Sequence, residues 1–244
     1  MPHPWFRDFR AQRPHPAYRD AFWRGMGIGA DPTPAADKDA MTLDQAIALT
    51  PHWGDGDFAT LDRLCKEIGC KAEDLLLVMT SESRIDPKTA NRDSSGWPLA
   101  VGLNQLTRVA AEQMGLIKPG DKQAWLKLAE AYVKKPIAEQ LPTVIAYYKA
   151  TPWGAMGNKY ESAAKLYQAN AAPSTMFAGD GNATVLYPFG SDSFEKNKPL
   201  WILRKPTGIV FGDLKAATDW HRKNPLYQAA VTRLKNVRQQ SGPW

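Results

Sequence analysis

The most hydrophobic segment of the chain ends at a carboxylate. It reads AEDLLLVMTSE, residues 72–82, and its last residue is Glu82. On a helix, the residues three, four and seven positions earlier share a face with Glu82, and here they are Met79, Val78 and Leu75. Glu82 is therefore predicted at the edge of an apolar stripe. The alternative is a carboxylate that simply ends the helix and turns out to water.

Similar spacing elsewhere predicts a mainly α protein without convincing strands. Helices are predicted at 43–49 behind a Thr42 cap, 58–68 closed by Gly69, 72–82, 103–114 ended by Gly115, 122–134 capped by Asp121, 137–150 kinked at Pro142, 159–169, 214–222 and 226–239. Pro87 disfavours helical geometry at Asp86, so the third helix should stop near Glu82.

Composition divides the 244 residues into three predicted parts. Residues 1–41 are rich in Pro, Arg and aromatic residues, which indicates an extended arm. Residues 42–178 hold most of the helical pattern and form the predicted main domain. Residues 179–244 form a predicted basic helical appendage, because from Lys196 onward ten lysines and arginines face two aspartates, a net of +8. Such a charge is typical of a segment that binds anionic polymers, or simply of a solvated helix face.

Several functional classes receive no support from the sequence. Apolar runs near 18 residues are missing, so no membrane span is expected, and the N-terminus lacks the apolar core of a signal peptide. We expect synthesis in the cytoplasm. The four histidines lack ligand spacing, so neither a metal nor a cofactor is predicted. Cys65 and Cys70 could form a disulfide, although structural thiols are favoured.

Two short motifs follow one another around Glu82, and a third stretch comes later. The first consists of Glu82, Ser83, Ile85, Asp86, Pro87 and Ala90; the second of Gly102, Leu103, Gln105, Leu106 and Ala110; the third is Leu166–Asn170. In this order they resemble the lytic transglycosylase family, which has a goose-type lysozyme-like fold and cuts peptidoglycan. Asn104 stands where the family usually has Met, and the third stretch departs further from Ala-Tyr-Asn-Ala-Gly.

The resemblance implies that Glu82 is the only catalytic carboxylate. It would protonate the leaving oxygen of the glycosidic bond, and the substrate's N-acetyl group would help to stabilise the intermediate. Glu82 would then take the proton of the muramoyl 6-hydroxyl as that oxygen closes on C1, giving a 1,6-anhydromuramoyl end. An apolar helix face suits this role, because removal from water raises the pKa of a carboxyl group.

The resemblance also implies substrate-binding roles for five residues. They are Ser83, Asn104, Gln105, Tyr167 and Gln168. Ser83 would position the acid, or else be an ordinary polar helix end. Gln105, at the start of a helix, would form a hydrogen bond to the substrate, or else cap the preceding loop. Tyr167 would reach Glu82, or else be a core tyrosine.

The expected function is peptidoglycan cleavage by a lytic transglycosylase. A hydrolytic muramidase of the same fold and a structural virion protein with an inactive domain are the alternatives. Without a signal peptide, the enzyme needs another route to the wall, so we expect a bacteriophage virion protein. Its expected partners are peptidoglycan strands and other virion or tail proteins, with no specific nucleic acid.

Overall fold

A computed structural model describes residues 41–241, which are 58% helical and 8% strand. The mainly α prediction is confirmed, and the predicted arm lies almost wholly outside the described residues. The helices are α1 Leu43–Leu49, α2 Asp55–Glu67, α3 Ala72–Ser83, α4 Arg108–Gln113, α5 Lys122–Tyr132, α6 Ile137–Ala150, α7 Pro152–Ala155, α8 Ala163–Ala171, α9 Asp192–Asn197, α10 Phe211–Arg222 and α11 Pro225–Ser241. Short 3-10 turns lie at Pro173–Thr175 and Lys198–Leu200.

Local capping explains where several helices begin. The Thr42 hydroxyl accepts from the backbone N–H of Gln45, and Asp121 accepts from Ala124 at the start of α5. Both caps were predicted, as were the bounds of α1 and α6. The predicted helix at 159–169 begins later, at Ala163, because Ser162 is its cap and accepts from Lys165.

Five short strands within residues 41–241 correct the expectation of a chain without strands. They are β1 Ala90–Arg92, β2 Pro98–Val101, β3 Leu106–Thr107, β4 Val185–Pro188 and β5 Gly208–Val210. β1, β2 and β3 form one antiparallel sheet, and β4 pairs with β5 in another. Strands of two to four residues are too short to show an alternating pattern in sequence.

The main core surrounds α3. Its five consecutive apolar residues, Leu75 to Met79, are all at most 1% exposed, because α2, α8, α10 and α11 pack around the helix. This enclosure accounts for the unbroken apolar run in the sequence. A second, smaller core under the β1–β3 sheet centres on the fully buried Trp125 of α5.

The predicted basic appendage needs correction in its described part. Leu214 of α10 and Leu234 of α11 belong to the same core as α3, so residues 179–241 are not set apart from the main domain. The basic residues of these helices are also partly used inside the fold. Arg233 pairs with Asp55, and Arg238 pairs with Asp62 and Glu73.

No helix within residues 41–241 combines the length and the apolar character that crossing a membrane requires.

Candidate functional site

Glu82 lies in the last turn of α3, immediately before an unusual backbone turn. Arg84 and Ile85 both have positive φ, 59° and 52°, although neither is glycine. A β-branched residue in this region is strained, and the surrounding structure has to hold it there. Trp53 does so by donating from its indole Nε1 to the Ile85 carbonyl at 2.8 Å. Strain of this kind concentrates at functional sites.

The environment of Glu82 favours a protonated carboxyl group. Part of the residue's surface remains exposed, but its carboxyl group is densely surrounded by protein. This burial raises the pKa of Glu82 to about 7, against a smaller lowering by a hydrogen bond from Asn170. Glu82 can therefore both donate and accept a proton near neutral pH.

A chain of side-chain hydrogen bonds connects Glu82 to two other segments. Asn104 Nδ2 donates to Asn170 Oδ1 at 2.6 Å, so the amide nitrogen of Asn170 is the group left to donate to Glu82. The Tyr148 hydroxyl, in turn, donates to Asn104 Oδ1 at 3.4 Å. Residues from all three motif stretches, 82, 104 and 170, thus meet in one network.

Ser83 joins the first motif to the second. Its hydroxyl is within bonding distance of two backbone carbonyls, that of Leu103 at 2.7 Å and that of Met79 at 3.1 Å. Its own carbonyl accepts from the Thr89 hydroxyl at 3.0 Å. Ser83 as a whole is 3% exposed. These contacts fix the position of the helix end that carries Glu82.

Gln105 does not begin a helix, which corrects the predicted start at Leu103. It has a φ of 50° and donates from Nε2 to the Gly102 carbonyl at 3.0 Å, closing a turn. Helix α4 begins only at Arg108, because Thr107 is its cap. These contacts correspond to the loop-capping alternative.

Tyr167 and Gln168 lie in the core beside this network. The Tyr167 hydroxyl accepts a hydrogen bond from Ser81 Oγ at 3.1 Å, and Ser81 directly precedes Glu82 in the sequence. Gln168 is fully buried and donates to the Thr175 carbonyl at 2.9 Å, in the 3-10 turn that follows α8. We leave Gln168 out of the proposed substrate site because its amide is enclosed.

The first two aspartates after Glu82 in the sequence stabilise loops. Asp86 Oδ1 accepts from the backbone N–H of Lys88 at 2.8 Å. Asp93 accepts from the backbone of Ser95 and of Trp97, at 2.8 and 3.0 Å. Neither group contributes to the pKa of Glu82.

Two residues of the site escaped the sequence analysis. Asn170 occupies the last place of the third stretch and was not singled out. Gln140 is fully buried: Oε1 accepts from the Leu103 N–H, and Nε2 donates to the Pro87 carbonyl at 2.9 Å. A glutamine three residues after Ile137, on the predicted apolar face of α6, was the available signal.

The close packing around position 102 requires a glycine. Its φ is +75°, and a Cβ there would lie 2.4 Å from Tyr132 Cε1 and 2.6 Å from Gln140 Oε1. We expect Gly102→Ala to lower the free energy of unfolding by about 2–4 kcal/mol. Gly157→Ala is the matched control, because φ is +77° but no atom lies within 4 Å of its Cβ. Urea unfolding of both variants checks this; equal losses would contradict the packing argument.

The raised pKa of Glu82 predicts a pH-dependent stability. Between its unfolded value near 4.5 and its folded value of about 7, the folded state binds more protons, so stability falls as pH rises. Glu82→Gln removes this penalty, which is at most about 3 kcal/mol. Urea unfolding should show a larger advantage of the variant at about pH 8 than at about pH 4. A constant difference would contradict the burial of this carboxyl group.

Within residues 41–241, no three His, Cys, Asp or Glu side chains are grouped so as to hold a metal ion.

Comparison of the chain with protein-family models, with curated proteins and with solved structures finds no match. The functional assignment therefore depends on the residues around Glu82 and on their geometry.

Proposed function

We propose that this protein is a lytic transglycosylase with a lysozyme-like domain that cleaves the MurNAc–GlcNAc β-1,4 bond of peptidoglycan. The observation that carries the proposal is the network that joins Glu82 to Asn170 and Asn104. These residues come from the three motif stretches, and they surround a carboxyl group that holds its proton near neutral pH. The strained backbone at Arg84 and Ile85 adds support from an independent feature.

The first chemical step is proton donation by Glu82. Its carboxyl proton passes to the glycosidic oxygen as the bond from that oxygen to C1 of the muramoyl sugar breaks. The substrate's N-acetyl group stabilises the positive charge that develops at C1. Glu82 is left as a carboxylate, and the hydrogen bond from Asn170 stabilises that charged form.

The second step returns the proton. The carboxylate of Glu82 takes it from the muramoyl 6-hydroxyl while that oxygen bonds to C1. The product is a 1,6-anhydro ring, and Glu82 is again protonated. No water is consumed, so the two products together have the mass of the substrate.

The bonds of Asp86 and Asp93 to the backbone of their own loops favour this route over direct hydrolysis. Hydrolytic glycosidases commonly use two carboxyl groups flanking the bond. The pKa of Glu82 is raised by burial and lowered to a smaller extent by Asn170. A hydrolytic muramidase is the alternative, and product masses distinguish the two.

Release of dye from labelled, purified sacculi tests whether the chain cleaves the wall. We expect soluble fragments, with a rate that declines as pH rises above about 7, because the acid loses its proton there. No release between about pH 5 and pH 8 would instead support a structural protein with an inactive domain.

We also propose that the enzyme is carried in a bacteriophage virion and opens the host wall locally during genome entry. Support comes from the composition of residues 1–41, which are rich in Pro and Arg and suit docking to virion or tail proteins. Protein mass spectrometry of purified, nuclease-treated particles should detect the chain. Its presence only in late lysates would favour a free endolysin.

A further inference from the structure

The turn between α2 and α3 brings the two cysteines together. The Cys70 N–H donates to the Cys65 carbonyl at 3.1 Å, and the Gly69 N–H donates to the Lys66 carbonyl at 3.2 Å. Gly69 supplies the left-handed residue of the turn with a φ of +64°. These two bonds define a Schellman motif, in which the first and last residues commonly place their side chains in contact.

Here both residues in contact carry thiols. The neighbouring Cys70 thiol and burial both raise the pKa of the Cys65 thiol. Cys65 is 1% exposed, whereas Cys70 is partly exposed at the edge of the core. Of the two residues, Cys70 is therefore the more accessible to solvent.

Neighbouring residues hold this turn in place. The Tyr160 N–H donates to the Ile68 carbonyl at 3.1 Å. The aliphatic part of Lys159 covers Gly69 so closely that a Cβ there would lie 2.6 Å from its Cγ. The backbone of the turn thus keeps the two cysteine residues close together. The backbone bond between their residues suits the Cα separation of about 4.4–6.8 Å that a disulfide spans.

We propose that Cys65 and Cys70 form an intramolecular disulfide when the protein meets an oxidising small-molecule disulfide, and that this bond locks the corner between α2 and α3. The inference does not depend on the proposed function. It concerns the chain in any oxidising compartment, where such bonds persist.

The chemistry balances as two thiol–disulfide exchanges. The Cys70 thiol loses its proton and attacks oxidised glutathione, forming a mixed disulfide and releasing one glutathione thiol. The Cys65 thiol then loses its proton and attacks the Cys70 sulfur, which releases the second glutathione. The two protein thiols are oxidised, and one glutathione disulfide is reduced to two thiols.

The test treats the folded full chain with oxidised glutathione and compares it with the reduced chain. Intact mass should fall by two hydrogens, and the thiol count should fall from two to zero. Trypsin cuts after Arg63, Lys66 and Lys71, so the digest should contain peptides 64–66 and 67–71 joined by a disulfide. Thermal unfolding should shift upward by about 5 °C, because the closed loop restricts the unfolded chain.

Two single variants resolve the order of the steps. Cys65→Ser should stop at the mixed disulfide and gain the mass of one glutathionyl group. Cys70→Ser should keep its enclosed thiol and remain unmodified. Neither should show the upward thermal shift on oxidation.

Retention of both thiols in the wild type would overturn the proposal, as would a stable mixed disulfide or a dimer linked through Cys70. Wall cleavage is measured separately from these thiol readouts, so failure of one proposal is distinguishable from failure of the other.

Discussion

Replacing Glu82 with glutamine should reduce dye release from labelled sacculi by about 10³-fold or more, because glutamine can neither donate nor take up the transferred proton. Glutamine has nearly the same shape and can keep a hydrogen bond to Asn170. The fold should therefore remain intact, with unchanged circular dichroism and a cooperative thermal transition.

Glu161→Gln is the matched control for that experiment. It makes the same chemical change at an exposed residue shortly before α8, and it should leave the rate unchanged. An undiminished rate in Glu82→Gln would remove Glu82 from the catalytic role. Loss of activity in both variants would point to a general effect of charge on binding to the wall.

Truncating Leu234 to alanine should lower the free energy of unfolding by about 2–5 kcal/mol. Leu234 is fully buried on α11, which packs against α1, α2 and α3. The deletion would therefore leave a cavity in the core that also contains the helix of Glu82. Thermal and urea unfolding measure the loss.

The neighbouring Lys235 provides the control for Leu234. Its side chain is exposed, so Lys235→Ala should change stability by at most about 0.5 kcal/mol. If the C-terminal helices were a separate appendage, Leu234→Ala would lower the unfolding temperature of those helices alone. They would then unfold in a separate transition, and the rest of the chain would be unaffected. A single, lowered transition is the expected result.

The sequence predicted those elements whose signals are local. The Thr42 and Asp121 caps fixed the starts of α1 and α5, and Gly69 fixed the end of α2. The start of α4 was missed because Gln105 adopts a positive φ that is stabilised by its own side chain. The residue type does not predict that conformation, which depends on the turn as a whole.

The role of the C-terminal helices could not be read from charge alone. The count from Lys196 onward suggested a basic surface, but Arg233 and Arg238 are paired with acidic residues more than 160 positions away. Such long-range pairs leave no local pattern. The composition showed where the basic residues lie in the sequence, but it did not show that Arg233 and Arg238 pair with acidic residues of other helices.

The candidate site also combines features that are local in the sequence with contacts that depend on the fold. Glu82 became a candidate through the short motifs around it, because its apolar helix face alone also fitted a helix end turned out to water. Asn170 was missed because its contacts to Glu82 and Asn104 depend on how α8 packs beside α3. Ser83 was predicted to position the acid, but its bond to the Leu103 carbonyl depends on how the second motif folds against the end of α3.

The most direct test of the central claim is mass spectrometry of the fragments released from purified sacculi by the wild type and by Glu82→Gln, side by side. The wild type should give 1,6-anhydromuramoyl ends, each lighter by one water than the corresponding hydrolysed end, and the variant should release neither. Reducing ends alone from the wild type would contradict the transglycosylase reaction, and anhydro ends from Glu82→Gln would contradict the assignment of Glu82 as the acid and base.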